Sequence, residues 1–276
     1  MNNASHVLII SYLYSPIDNT GTKRITKFAK YLPQFGYTPT VLTTRTRGSL
    51  PNDEESKIFR ADDLLGPFKR LYRGVKTRNL PAEDVANINL LRNENWIVRL
   101  MSTFLIPDPE IIWYPRAVRE GQRIPSIFPI RMLFSTSPPE TNHLVAMNLK
   151  KKTGLPWVAD FRDGWMFEPL RTERLTSPFR RRLELNLESK VFSIADKIIT
   201  VNKTIAEDMA IRYPSEAGKI SIIYNGFDPE DFIALQPDSS PHKKMKIVHT
   251  GSISLSRSSS RQSLDALIKA NPTHNE

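Results

Sequence analysis

The chain has 276 residues, 39% of them hydrophobic and 25% charged, with a formal net charge of +10. That apolar content suffices for one large folded domain or two modest ones and excludes a wholly disordered chain. Cysteine is absent, which excludes disulfides, thiolate metal sites and cysteine nucleophiles and fits a reducing compartment. A pI near 9.7 favours partners that carry phosphate, whether nucleic acid, anionic lipid head groups or a diphosphate-containing small molecule.

The opening "MNNASHVLIISYLYSP" carries no basic leader, and its apolar run is too short to span a bilayer, so it reads as a buried first strand, residues 6–14. "RITKFAKYLPQFG" (24–36) has helical periodicity closed by glycine, and "YTPTVLTT" (37–44) is β-branched, which completes a βαβ unit. Residues 49–123 read as an insertion of helices; within it 89–106 is amphipathic and stops at "PDP". The basic stretch "FKRLYRGVKTR" (68–78) interleaves charge with Leu71, Tyr72 and Val75. It is either a solvated helix face or a surface for anionic lipid, with Lys69, Arg70, Arg73 and Lys76 as the candidate membrane contacts.

Alternation resumes with a strand at 131–137, a helix at 139–154 and a strand at 155–161. A helix at about 176–194, a strand at 196–202, a helix at 203–213 and a strand at 219–226 follow. Alternating units of this kind predict an α/β fold, a parallel Rossmann-like sheet with helices on both faces. The proline-bearing "LQPDSSPHKK" (235–244) suits an interdomain linker, and "KMKIVHTGSI" with the helix-like run at 263–270 reads as the first β-α unit of a second domain. The expected division is therefore a domain over 1–236 and an incomplete one over 237–276.

In open parallel sheets ligands sit at the carboxyl ends of the strands. Four loops fall there. "SPIDNTGTKR" (15–24) brings Gly21, Thr22 and Arg24 to the start of a helix whose amides either face a phosphate or simply turn the chain. "STSPPET" (135–141) offers hydroxyls that suit helix capping. "DFRDGW" (160–165) sets two carboxylates and a guanidinium within six residues, a cluster that is either a salt-bridged knot or a polar site. "NGFD" (225–228) is a turn signature. Neither a GxGxxG fingerprint, a Walker loop nor HExxH occurs.

In order along the chain, "PDP" at 107–109 with Trp113 and Pro115, "SPP" at 137–139, "GLPWVADFRDGW" at 154–165, "ADKIITV" at 195–201, "NGFD" and "HTGSI" at 249–253 resemble the family-4 glycosyltransferases of the GT-B fold. The resemblance implies two Rossmann-like domains, an N-terminal one for the acceptor and a C-terminal one for a nucleotide-sugar donor. It also implies transfer with retention, with neither metal nor cofactor, the leaving diphosphate being met by amides and basic side chains. Carried over by position, Arg162 and Asp163, with Asp160 orienting Arg162, are the acceptor-side catalytic candidates. Gly21, Thr22, Arg24, Gly251 and Ser252 are the donor-phosphate candidates. The family's glycine pair is reduced here to Gly21, and Gly164 replaces a frequent proline, which loosens that loop.

Family members continue well beyond this point, so the chain is expected to be an acceptor half, inactive by itself and in need of a separate donor-domain chain. Its expected partners are a nucleotide sugar and a glycan or lipid-linked acceptor for cell-surface polysaccharide. Its expected place is the cytoplasm, peripheral to the inner membrane face. A non-enzymatic remnant that binds acceptor or membrane is the alternative. Nucleic acid is not expected, because charge alone suggests it and no recognition motif accompanies the charge.

Overall fold

The computed structural model describes residues 5–17, 20–45, 57–64, 105–167 and 177–233. The chain divides into two compact units, Met1–Phe167 with Thr176–Gly226, and Glu168–Leu175 with Phe227–Glu276. The described part of the second unit is a short 3-10 turn, Pro229–Phe232, opened by the Asp228 carboxylate, which accepts from the Glu230 amide at 3.1 Å.

The first unit is built on β1 (Ser5–Ile10), α1 (Thr20–Tyr31), β2 (Tyr37–Thr44), β3 (Lys57–Ala61), α2 (Tyr114–Arg123), β4 (Ile130–Ser137) and α3 (Thr141–Thr153). β5 (Trp157–Phe161), α4 (Pro178–Ile194), β6 (Lys197–Thr200), α5 (Lys203–Arg212) and β7 (Ile220–Ile222) complete it. Among the described residues the strands form one seven-stranded sheet in the order β3-β2-β1-β4-β5-β6-β7, with every pairing parallel. This is the Rossmann-like α/β sheet that the alternation predicts.

The apolar runs of the central strands follow from burial on both faces. Along β1, Leu8 and Ile10 join one core cluster with Leu133, Trp157, Ala159, Phe161 and Ile198, roofed by α2, α3, α4 and α5. Val7 and Ile9 join the opposite cluster with Val41 and Phe134, covered by Ile25 and Ala29 of α1. Side-chain period two assigns alternate residues to alternate layers.

Helix ends are fixed by the residues that the sequence supplies. Ser177 and Asn202 cap α4 and α5 by accepting from the amides of Arg180 and Ile205, at 3.2 and 2.8 Å. Gly154, at φ +70°, closes α3 by donating its amide to Lys150 O at 2.8 Å, and three lysines occupy that helix's last turn, where the dipole favours them.

Two sequence expectations change in the structure. Part of the region read as helices supplies the edge strand β3, which pairs with β2 from Lys57↔Thr40 to Ala61↔Thr44. The strand expected over 219–226 pairs only at Ile220–Ile222, after which the chain leaves the ladder. The amphipathic stretch 89–106 lies mostly, and the linker and terminal unit wholly, outside the described residues.

Candidate active site

The strand order reverses between β1 and β4, from which the chain winds outward in opposite directions. The loops at the carboxyl ends of these two strands, and of β5 beside them, enclose the crevice where such sheets bind ligands. Three segments converge there: the first turn of α1, the Ser137–Pro138–Pro139 corner after β4 and residues 160–167 after β5. The peptide bonds preceding Pro138 and Pro139 are both cis.

Asp160, the fourth residue of β5, is fully buried. Its carboxylate accepts from Arg24 Nη2 at 2.9 Å and Nε at 3.2 Å, and from the Thr136 hydroxyl at 2.8 Å. A carboxylate at that depth persists because a bidentate guanidinium offsets its desolvation. Asp160 therefore pairs with Arg24, 136 residues away, where the sequence suggested a role in orienting its near neighbour Arg162. β5 ends at Phe161, so Arg162 lies beyond the strand and its side chain is free of the strand's period-two register.

Arg162 turns back onto the backbone. Its guanidinium donates to the carbonyls of Ser137 at 2.9 Å, Pro138 at 2.5 Å and Gly21 at 2.6 Å, while its amide also donates to Ser137 O at 3.1 Å. One side chain thus ties all three crevice segments together. Burial lowers its pKa, and Asp160 and Asp163 pull the other way.

Asp163, the next residue, is exposed. It projects from a loop that is fixed on both sides. Arg162 holds one side; on the other, Trp165 is buried and the Met166 amide donates to Glu188 Oε1 at 3.2 Å. Gly164 is packed so tightly that a Cβ there would lie 2.3 Å from Phe167 O. The expected loosening by glycine is reversed: its missing side chain lets this loop close up.

Among the donor-phosphate candidates, Gly21 lies in the first turn of α1 with its carbonyl held by Arg162, and Thr22 is fully buried. Arg24 has all five N–H groups engaged within the chain: two on Asp160 and three on Ile223 O, Tyr224 O and Asn225 Oδ1, at 3.1, 3.2 and 3.2 Å. Gly251, Ser252, Lys69, Arg70, Arg73 and Lys76 lie outside the described residues. Among the described residues no three His, Asp or Glu side chains cluster as metal ligands, and no helix is long and apolar enough to cross a membrane.

Three residues of the site escaped sequence reasoning. Asn142 is buried at the start of α3, accepting from the Tyr12 amide at 2.9 Å and donating to Thr136 O at 2.7 Å, so it latches the β1 loop to β4. Asp108, the acid of "PDP", takes the Thr141 amide and hydroxyl at 2.9 and 2.6 Å and so seats the N-terminus of α3; burial raises its pKa against these bonds. His143 is fully buried, its Nδ1 2.8 Å from Ser135 Oγ, which also receives the Trp157 indole N–H at 2.8 Å. The serine oxygen has two lone pairs and one proton, so it can accept the indole N–H and still bond His143 Nδ1 as donor or acceptor, while Nε2 has no partner among the described residues. Burial, followed by the Arg162 charge, pushes the His143 pKa down to about 3. The available signal was the polar triplet Thr-Asn-His wedged between a Pro-Pro corner and an apolar helical run.

A parallel α/β sheet with internally braced polar loops over its switch point defines a Rossmann-like unit. Residues 21–231 match the model of Glycosyltransferase Family 4, and the chain belongs to that family. Among solved structures, sucrose-phosphate synthase from Thermosynechococcus elongatus aligns at TM-score 0.53 and 14% identity, over 82% of this chain and 49% of that one. MurG from Acinetobacter baumannii aligns at TM-score 0.38 and 12% identity, over 82% and 47% of the two chains. Anabaena HepE in complex with UDP and glucose aligns at 0.40 and 12%, over 82% and 46%. At these identities the likeness to the synthase is one of fold, and the chain spans about half of the synthase's length. No curated protein sequence matches it.

Proposed function

We propose that this chain supplies the acceptor side of a retaining, metal-independent glycosyltransferase. The enzyme transfers a sugar from a nucleotide-sugar donor to a glycan or lipid-linked acceptor in cell-surface polysaccharide synthesis at the cytoplasmic leaflet. The observation that carries this reading is the exposed residue Asp163, held at the rim of the switch-point crevice by a loop anchored through Arg162, Trp165 and Met166. In this reading Asp163 accepts a hydrogen bond from the acceptor hydroxyl. As that oxygen bonds to the anomeric carbon, the bond to the diphosphate breaks, the nucleoside diphosphate leaves with the electron pair, and the hydroxyl proton passes to the Asp163 carboxylate. Backbone amides at Gly21, Thr22, Gly251 and Ser252 face the departing phosphates. Arg162 and Asp160 act behind Asp163, by holding the loops. The stretch bearing Lys69, Arg70, Arg73 and Lys76 rests on anionic lipid.

Transfer then belongs to this unit together with a donor-binding unit, and the test uses both. The chain, alone and mixed with a donor-binding unit of the same family supplied as a second chain, receives labelled nucleotide sugars and a membrane extract of lipid-linked acceptors. Labelled glycan is expected from the mixture. Asp163→Asn should slow the mixture roughly a hundredfold at an unchanged melting midpoint. An Asp163→Asn mixture as fast as wild type would remove Asp163 from the chemistry, and label incorporation independent of this chain would overturn the reading as a whole.

A further inference from the structure

We infer that Arg24 is a positioning residue that fixes the point at which the chain leaves the seven-stranded sheet. The inference rests on how its donors are distributed. A guanidinium that served only to neutralise Asp160 needs two N–H groups, and Arg24 gives two to Asp160. The other three reach across 199 to 201 residues of sequence to Ile223 O, Tyr224 O and Asn225 Oδ1. The cation also lies over the Phe28 ring, 4.7 Å from its centroid, so the side chain is held from three directions and is only 7% exposed.

The exit segment has little else to hold it. β7 is three residues long, and beyond it Ile223 and Tyr224 are 43% and 66% exposed, too open for core packing to fix them. The segment's backbone is held to the sheet by the Ile223 amide, which donates to Thr200 O at 2.9 Å. At Gly226 nothing lies within 4 Å of where a side chain would stand, and the first compact unit ends there.

Arg24 sits one turn along α1 from Gly21, whose carbonyl Arg162 grips, and Asp160 is bonded to Thr136 of β4. The crevice loops and the exit segment are therefore parts of one braced body. A ligand that displaces the first turn of α1 displaces the exit point with it. This holds whatever reaction the crevice serves.

The test is amide exchange by mass spectrometry on the full chain. Arg24→Lys keeps a cation beside Asp160 but cannot reach three further acceptors, because an ammonium is a point donor rather than a planar fork. Exchange in residues 222–226 should rise at least about tenfold, the change expected when bonds worth about one hydrogen bond or more are lost. Exchange in β4, residues 130–137, should stay within about twofold. Asn225→Ala, an exposed change that removes one acceptor, should give a smaller rise confined to the same segment. Millimolar guanidinium should restore protection in Arg24→Gly but not in Arg24→Lys. If residues 222–226 in Arg24→Lys and Asn225→Ala are protected as in wild type, or lose protection only in step with β4, Arg24 is a stabilising ion-pair partner and the inference fails.

Discussion

Replacing His143 with Gln tests the internal polar chemistry most directly. The imidazole is fully buried, its Nδ1 is hydrogen-bonded to Ser135 Oγ, and its folded-state pKa is about 3 against an ordinary 6.5. The unfolded chain therefore takes up a proton between these values that the folded chain refuses. For a group depressed in this way, folding stability is fully present above pH 6.5 and declines as pH falls towards 3. The slope is about 1.4 kcal/mol per pH unit, so between pH 7 and pH 4.5 this one residue removes about 2.5 kcal/mol. Gln offers the Ser135 hydroxyl an acceptor or a donor and does not titrate. Urea unfolding of both proteins from pH 7 to 4.5 should show the wild-type free energy falling by that much more than the variant's. His6, also depressed by burial and by Lys57, and Asp196, depressed chiefly by its bond to Lys150 against the opposing effect of burial, are common to both and cancel in the difference. Parallel pH profiles for the two proteins would refute the buried, neutral assignment.

Two further predictions concern the loop that presents Asp163. Gly164→Ala places a Cβ 2.3 Å from Phe167 O, a backbone atom that cannot rotate away, so it should cost about 1–3 kcal/mol in chemical denaturation; a cost below about 0.5 kcal/mol would mean the loop has room to shift. Glu188 is fully buried and accepts from Arg212, Tyr213 Oη at 2.6 Å and the Met166 amide. Glu188→Gln leaves Arg212 without that charge and should cost about 3 kcal/mol. It should also raise exchange at Met166, and a stability loss with Met166 still protected would separate the ion pair from the loop.

Most of the sheet was readable from the sequence because its central strands are buried on both faces. Uninterrupted runs such as "HVLII" and "RMLFSTS" announce such strands. β3, "KIFRA", escaped because an edge strand of five residues with two charges lacks the run, and its Arg60 spends itself on Ser15 O and Thr44 O. At the site, the acid-base cluster of "DFRD" was visible as groups that had to find partners. Who the partners are was not visible, because Arg24 and the Gly21 carbonyl lie 136 and 141 residues away. Local spacing says nothing about contacts created by the crossing of β-α units. Asn142 and His143 were hidden for a related reason: in the first turn of a helix, polar residues normally read as solvent-facing caps.

The last three residues of β4 each serve a different neighbour. Ser135 receives Trp157 and meets His143 on one layer, Thr136 bonds Asp160 on the other, and the Ser137 carbonyl takes Arg162. A strand that is apolar on both faces has no inside and outside to distinguish one alignment from the next, so hydrophobicity alone tolerates a slip along its neighbours. Here a slip of one residue would present a hydroxyl to the wrong layer at every position and strand Asp160, the indole and the guanidinium together. These polar groups act as a key cut into an otherwise featureless strand, and the alignment they enforce is the one that brings the crevice loops to the same height.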